Sequence, residues 1–298
     1  MRILNFGSMN IDIVYSVDHI VKPGETISST KLELFCGGKG LNQSIALARA
    51  GASVFHAGMI GPDGDMLLQA CEENGVGTTY IQRTHERSGH AIIQVDSSGE
   101  NCIVLYGGAN QMIDKQYVNT VLNDFGKGDY LLVQNELNMV DYIIDTAYKQ
   151  GMNVVLNPSP YDKAIEQWDL YKVSLFLINE IEGTQMTGSS NPHEILKVMR
   201  RQYPDAAIVL TLGQKGAVFQ EGDLVLTQCP FETTVVDTTA AGDTFTGYYL
   251  TSVMQELPQL EALRMASYAA SLTVSQKGAS ASIPYRQEVE TGLSMQTS

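Results

Sequence analysis

Short continuous apolar runs alternate along this chain with longer stretches whose apolar positions recur every three or four residues. The runs "RILNF" (2–6), "SVFHAGMI" (53–60), "YLLVQ" (130–134), "NVVLN" (153–157), "LFLIN" (175–179) and "AIVLTL" (207–212) predict strands buried on both faces. Helical periodicity predicts helices at 42–50, 66–73, 115–124, 140–150, 192–202, 242–256 and 260–276. That alternation implies an α/β fold, a mostly parallel central sheet covered by helices on both faces. One region departs from it. "GHAIIQVDSSGENCIVLYGG" (89–108) alternates with period two on either side of "DSSGE" and predicts a hairpin. "MNIDIVYSVDHI" (9–20) and "GETISSTKLELF" (24–35) are also extended in pattern, so a small second sheet is expected. No repeat, low-complexity tract or Pro/Ser linker divides the chain.

Composition narrows the partners. The 298 residues are enough for a sizeable core, and 44% of them are hydrophobic. With 33 acidic against 19 basic residues the net charge is −14, a field that repels nucleic acid and anionic membranes. Any anion must therefore be held by local geometry. Cys36, Cys71, Cys102 and Cys229 form no CxxC pair and the five histidines no HExxH, so reduced thiols are expected rather than a disulfide frame or zinc site. The opening stretch, broken by Asn5, Gly7, Asn10 and Asp12, makes a poor signal peptide. No apolar run approaches the roughly 18 residues of a membrane span. A cytoplasmic location is expected.

Candidate chemistry gathers at predicted strand ends and helix starts. Ligands of open α/β sheets bind outside the carboxyl ends of the strands. There the strands run into Gln134-Asn135-Glu136, Asn157-Pro158-Ser159, Asn179-Glu180 and Thr211-Leu212-Gly213, which equally suit ordinary polar loops. In "VDTTAAGDTF" (236–245), Ala240, Ala241 and Gly242 carry almost no side chain ahead of a helix, where free N–H groups suit an anion. Asp243 is either an N-cap or a functional carboxylate at that anion hole. The second role makes sense if a hydroxyl lies between carboxylate and phosphorus. "FCGGKGLNQ" (35–43) sets Gly37, Gly38 and Gly40 around Lys39 and suggests a phosphate loop, although its spacing is not that of a P-loop and no GxGxxG occurs. Asn42 could face the same ligand. Asn10 and Asp12, two apart on an extended segment, share a face and suit a polyhydroxyl ligand or plain solvent. Asn179 and Glu182 are spaced either as a capping pair or to hold Mg²⁺ through water. "TLGQKGA" (211–217) fits a nucleotide or a simple hairpin turn.

Two of these segments, Gly-Gly-Lys-Gly-x-Asn at 37–42 and Asp-Thr-x-Ala-Ala-Gly-Asp-Thr-Phe at 237–245, resemble both signatures of the ribokinase-like carbohydrate kinases, also called the phosphofructokinase-B family. The resemblance runs from about residue 2 to about 285. "GSMNIDIV", "PGETI", "GENCIVLYGGAN", "LNPSP", "TLGQKG" and "QKGASASIP" match its ribose-phosphorylating branch in order. It implies a single domain over 1–298, three-layered α/β/α, whose lid strands come from about 9–35 and 89–108. It implies that Asn10, Asp12, Gly38, Lys39, Asn42 and Glu136 hold sugar hydroxyls, which moves the Gly-rich segment from phosphate to sugar. Asp243 would be the base, and the N–H groups around Ala240, Ala241 and Gly242 the anion hole. Asn179, Thr211, Gly213, Gly216 and the region near Ser267 would lie along ATP, with Glu182 placing Mg²⁺. A monovalent cation, K⁺, would sit at Asp237, Thr239, Thr273, Gln276, Gly278 and Ser282. Ser267, Thr273 and Gln276 depart from the residues commonest at their positions. The implied activity is ATP-dependent phosphorylation of a pentose, D-ribose at its 5-hydroxyl first, by a homodimer joined through its lids. The rivals are a same-family kinase for fructose, a keto-deoxy sugar acid or a nucleoside, a silent sugar-binding protein, and a dehydrogenase.

Overall fold

A computed structural model describes residues 1–296. In chain order its strands and helices begin β1 (Ile3–Phe6), β2 (Asn10–Ser16), β3 (Lys31–Gly37), α1 (Lys39–Arg49), β4 (Val54–Ile60), α2 (Asp65–Glu73) and β5 (Gly77–Arg83). The middle holds β6 (Gly89–Val95), β7 (Asn101–Tyr106), α3 (Lys115–Leu122), β8 (Tyr130–Gln134), α4 (Val140–Lys149), β9 (Asn153–Asn157) and β10 (Leu175–Asn179). The chain continues through α5 (Glu180–Thr187), α6 (Pro192–Gln202), β11 (Ala207–Thr211), β12 (Ala217–Glu221), β13 (Leu224–Gln228), α7 (Ala241–Met254), α8 (Gln259–Val274) and α9 (Arg286–Gln296).

Nine strands form the main sheet in the order β13-β12-β11-β10-β9-β8-β1-β4-β5. Every pairing from β11 to β5 is parallel, and β12 and β13 close one edge antiparallel. The apolar strands bury both faces, as their unbroken hydrophobicity requires. On one face Leu131, Val133, Val154 and Ile178 pack with Val118 of α3, Ile143 of α4 and Ile195 of α6. On the other, Leu132, Val155, Leu177 and Val209 pack with Ile45 of α1, Tyr248 of α7 and Leu263 of α8. The result is the expected three-layer α/β/α body.

The second sheet, β3-β2-β6-β7, stands apart from the first. β2 pairs antiparallel with β3 and parallel with β6, and β6 pairs antiparallel with β7. Only Gly7, Ser8 and Met9 separate the end of β1 from β2, so this sheet rises from the carboxyl edge of the main one. The strand in 24–35 is shorter and later than its pattern suggested, Lys31–Gly37. Strands β5, β12 and β13 and helices α5 and α9 have no counterpart among the predicted elements. No helix among the described residues is long and apolar enough to cross a membrane.

Candidate active site

A cavity of about 880 Å³ opens between the carboxyl ends of the central strands and the small sheet. Asn157, Asn179, Thr211 and Glu136 line it from the strand ends, so the polar groups suspected there do converge. Asn10, Asp12, Gly38, Lys39 and Asn42 line it from the lid side and α1. Asp237, Thr239, Ala240, Gly242, Asp243 and Gly278 line it from the α7 side.

At its floor the two readings of Asp243 separate. The N-cap of α7 is Ala240, in left-handed conformation at φ 60, with no side-chain cap. Asp243 sits three residues further in and its carboxylate reaches across to α1. Asn42 Nδ2 donates to Oδ2 at 3.1 Å and Gln43 Nε2 to Oδ1 at 2.9 Å. Capping is therefore not its task. Meanwhile Ala241 N–H turns back to Thr238 O and Thr244 N–H to Ala240 O, leaving the Gly242 and Asp243 N–H groups without a backbone acceptor among the described residues. Gly242 is exposed, and a Cβ there would meet no atom within 4 Å. An uncapped helix start opening on empty space is fit for an anion.

The lid wall is built differently. Asn10 is buried, and its Oδ1 accepts from Asn110 Nδ2 at 2.7 Å while Asn110 Oδ1 accepts from Met9 N–H at 3.0 Å. Asp12 has no hydrogen bond among the described residues; burial, helped by Glu136, pushes its pKa up to about 6. Gly37 explains how it fits: a Cβ there would overlap the Asp12 carboxylate. Glu136 is raised by burial too, offset in part by the Ser8 hydroxyl that donates to Oε2 and the Lys39 N–H at 3.0 Å. Burial opposes the charge on Lys39, yet Asp243, Glu136 and Glu182 outweigh it and raise its pKa, so it stays a cation. The Asn42 Oδ1 is buried and has no partner among the described residues.

Around this core the remaining predicted residues divide. Asn179 and Glu182 form a full capping box: Asn179 Oδ1 accepts from Glu182 N–H at 2.9 Å, and Glu182 Oε2 accepts from Asn179 N–H at 3.0 Å. Glu182 nevertheless lines the cavity, so the cap and a place beside a ligand coexist. Asp237 joins two loops, accepting from Thr239 N–H at 2.9 Å, Thr239 Oγ1 at 2.7 Å and Gly278 N–H at 3.0 Å. Burial opposes its ionisation, but these bonds hold its pKa below the ordinary value. Thr273 lies behind the wall, its hydroxyl bonded to Thr244 Oγ1 at 2.9 Å, and Ser282 Oγ donates to Gly278 O at 2.7 Å. Neither they nor Ala241, Gln276, Gly213, Gly216 and Ser267 line the cavity. Gly213 and Gly216 flank the turn that leads β11 into antiparallel β12, and Ser267 Oγ is buried in α8 with no partner among the described residues.

Gln43 and Asn110 escaped sequence reasoning. The only local signal for Gln43 is its place one helical turn after Lys39.

A helix start open to a phosphoryl group, a carboxylate beside it and a polar wall facing both define a small-molecule kinase. The chain belongs to the pfkB family of carbohydrate kinases, whose family model matches residues 2–286. It is thus a phosphotransferase with an alcohol group as acceptor. It is 38% identical over 292 residues to the ribokinase of Haemophilus influenzae, covering 95% of each chain. It is 28% identical over 304 residues to the deoxyribokinase of Salmonella typhi, covering 99% of each. Among solved structures it resembles Arabidopsis thaliana ribokinase complexed with ribose and ATP, with a TM-score of 0.88, 28% identity and 97% of each chain covered.

Proposed function

We propose that this kinase transfers the γ-phosphoryl group of ATP to the 5-hydroxyl of D-ribose. The observation that carries the reading is the placement of Asp243, held by Asn42 and Gln43 beside the uncapped start of α7, in one cavity with Asn10, Asp12, Lys39 and Glu136. The sugar would donate to Asp12, Glu136 and the unpartnered Asn42 Oδ1 and accept from Lys39. As the hydroxyl oxygen bonds to phosphorus, its proton passes to Asp243 and the bond from phosphorus to the ADP oxygen breaks. A carboxylate is far too weak a base to hold a sugar alkoxide in advance, so proton loss and attack coincide. The Gly242 and Asp243 N–H groups meet the charge on the phosphoryl oxygens.

Asn179 and Thr211 would lie along the nucleotide. Glu182 fits Mg²⁺ held through water, since that ion takes few carboxylates and keeps its hydration. When bound, Mg²⁺ would neutralise phosphate charge. The loops joined by Asp237 carry the carboxylate and carbonyl oxygens that suit K⁺. No arginine lines the cavity, whose cations among the described residues are Lys39 and Lys277, which speaks against a sugar acid. The lid exposes Leu32, Leu34, Ile92, Val104 and Tyr106, an apolar face that a second copy's lid would cover. Light scattering of the wild type against Val104→Glu tests that dimer.

The substrate is tested by ADP release from pure protein with ATP, Mg²⁺ and either K⁺ or Na⁺. The panel runs D-ribose, 2-deoxyribose, fructose, a keto-deoxy sugar acid and a nucleoside. K⁺-stimulated turnover led by ribose is expected. A clear preference for 2-deoxyribose or another sugar would keep the chemistry and replace the substrate, and silence with every sugar would overturn the reading.

A further inference from the structure

The group that steadies the Asp243 carboxylate from behind does not touch the cavity. Gln43 is fully buried in α1 and is absent from the cavity wall. Its Nε2 donates to Asp243 Oδ1 at 2.9 Å and to Asn157 Oδ1 at 3.0 Å, while its Oε1 accepts from Gln134 Nε2 at 2.6 Å. Both of its hydrogens and its oxygen are thereby engaged.

The direction of this amide is dictated from outside. Asn157 Nδ2 donates to Leu177 O at 2.8 Å, which turns the Asn157 oxygen toward Gln43 and demands an N–H there. On the other side Gln134 Nε2 also donates to Asn5 Oδ1 at 2.9 Å, and Asn5 Nδ2 donates to Gly40 O at 2.7 Å and Ser44 Oγ at 2.8 Å. The chain of amides is anchored at both ends on backbone carbonyls. A flip of any member would set oxygen against oxygen in a buried site.

Helix packing brings Gln43 within reach. Gly247 lies one turn beyond Asp243, and Ala46 lies nearly one turn beyond Gln43, so the two close contacts share facing stripes of α7 and α1. A Cβ on Gly247 would stand 2.7 Å from the Ala46 carbonyl carbon and from Leu47 N. Only glycine allows α7 to come this near.

We propose that Gln43 is a positioning residue for phosphoryl transfer, locking the Asp243 carboxylate in the orientation that receives the acceptor proton. This rests on the reading of Asp243 as base. Without Gln43 the Asp243 Oδ1 loses its amide hydrogen and only the Asn42 bond to Oδ2 remains, so rotation about the last side-chain torsion, which is broad for aspartate, is released. Misplacement of a reacting group by an ångström costs on the order of 10²-fold in rate.

Gln43→Met and Gln43→Asn, measured beside Asp243→Asn with whichever sugar the wild type turns over, test it. Gln43→Met keeps the size and removes the amide. Gln43→Asn keeps a neutral amide in the buried site but draws it back by one methylene from Asp243, so it remains informative where Gln43→Met fails to fold. The expected result is a loss of about 10- to 100-fold in kcat for both. KM for sugar and for ATP stays within about twofold, because Gln43 meets neither. Wild-type kcat in either folded variant, or a loss carried by KM, would show that Gln43 only fills space and would overturn the proposal. Undiminished turnover in Asp243→Asn would instead remove the base, and the proposal with it.

Discussion

Two aspartates face one cavity, Asp243 from helix α7 of the main body and Asp12 from strand β2 of the lid, and they are prepared in opposite ways. Asp243 takes an amide hydrogen on each oxygen, from Asn42 and Gln43, before any ligand arrives. Asp12, on the lid, takes none among the described residues and is pushed up to about 6 by burial, with Glu136 adding to it. The helices packed on the main sheet thus finish their carboxylate with their own side chains, where the lid leaves one open to a ligand's hydroxyls. On the proposed reading, catalytic orientation is built into the helices of the main body and recognition into the sheet that stands apart from it. A preorganised group contributes to the transition state, whereas an unfinished one contributes to binding.

The largest test of this contrast is Asp243→Asn. The amide preserves size but cannot take the hydroxyl proton, so kcat should fall by about 10²–10⁴-fold while the fold is kept. Steady-state rates with saturating ATP and sugar, beside a circular dichroism spectrum, decide it. Near-normal turnover would erase the distinction between the two carboxylates. The next effect is smaller and falls elsewhere. Asp12→Asn should raise the sugar KM by about tenfold or more, the value of one charge-assisted hydrogen bond, with kcat changed little. If the loss appeared in kcat instead, Asp12 would belong with the chemistry and the division between the layers would fail.

Much of the main sheet is legible in sequence because its middle strands are buried on both faces. β8, β9 and β10 coincide with their apolar runs residue for residue. The edges are not legible for the same reason reversed: β5 and β13 are partly exposed and mixed in character, so no unbroken run marks them. The strand-end polar groups stand out because each follows its strand directly. Gln43 does not, since its partners Gln134, Asn157 and Asp243 lie 91, 114 and 200 residues away and no local spacing records them. The Gly-rich segment misleads on spacing alone: Gly37 is needed to make room for Asp12, a cross-strand neighbour that a linear motif conceals.

The smallest effects sharpen the contrast through pH, and they pull in opposite directions. Asp12 has an ordinary value of 3.8 and a folded value of about 6. Below pH 6 it is protonated and offers the sugar a poorer acceptor, so the wild-type KM should rise by about tenfold from pH 7.5 to pH 5, and Asp12→Asn should flatten that slope. Stability runs the other way. Because the folded protein binds this proton more tightly than the unfolded chain, its contribution is fully present below pH 4 and is lost as pH rises through about 6. Above that, the wild type carries a buried charge without a partner. Asp12→Asn removes that charge, and with partial solvent screening the gain should be about 1 kcal/mol, a Tm increase of about 2 °C at pH 7.5 that vanishes at pH 4. A melting series across that range reads it directly. A variant less stable than wild type at pH 7.5 would mean that Asp12 is already satisfied within the free protein, and the lid would then be as finished as the body beneath it.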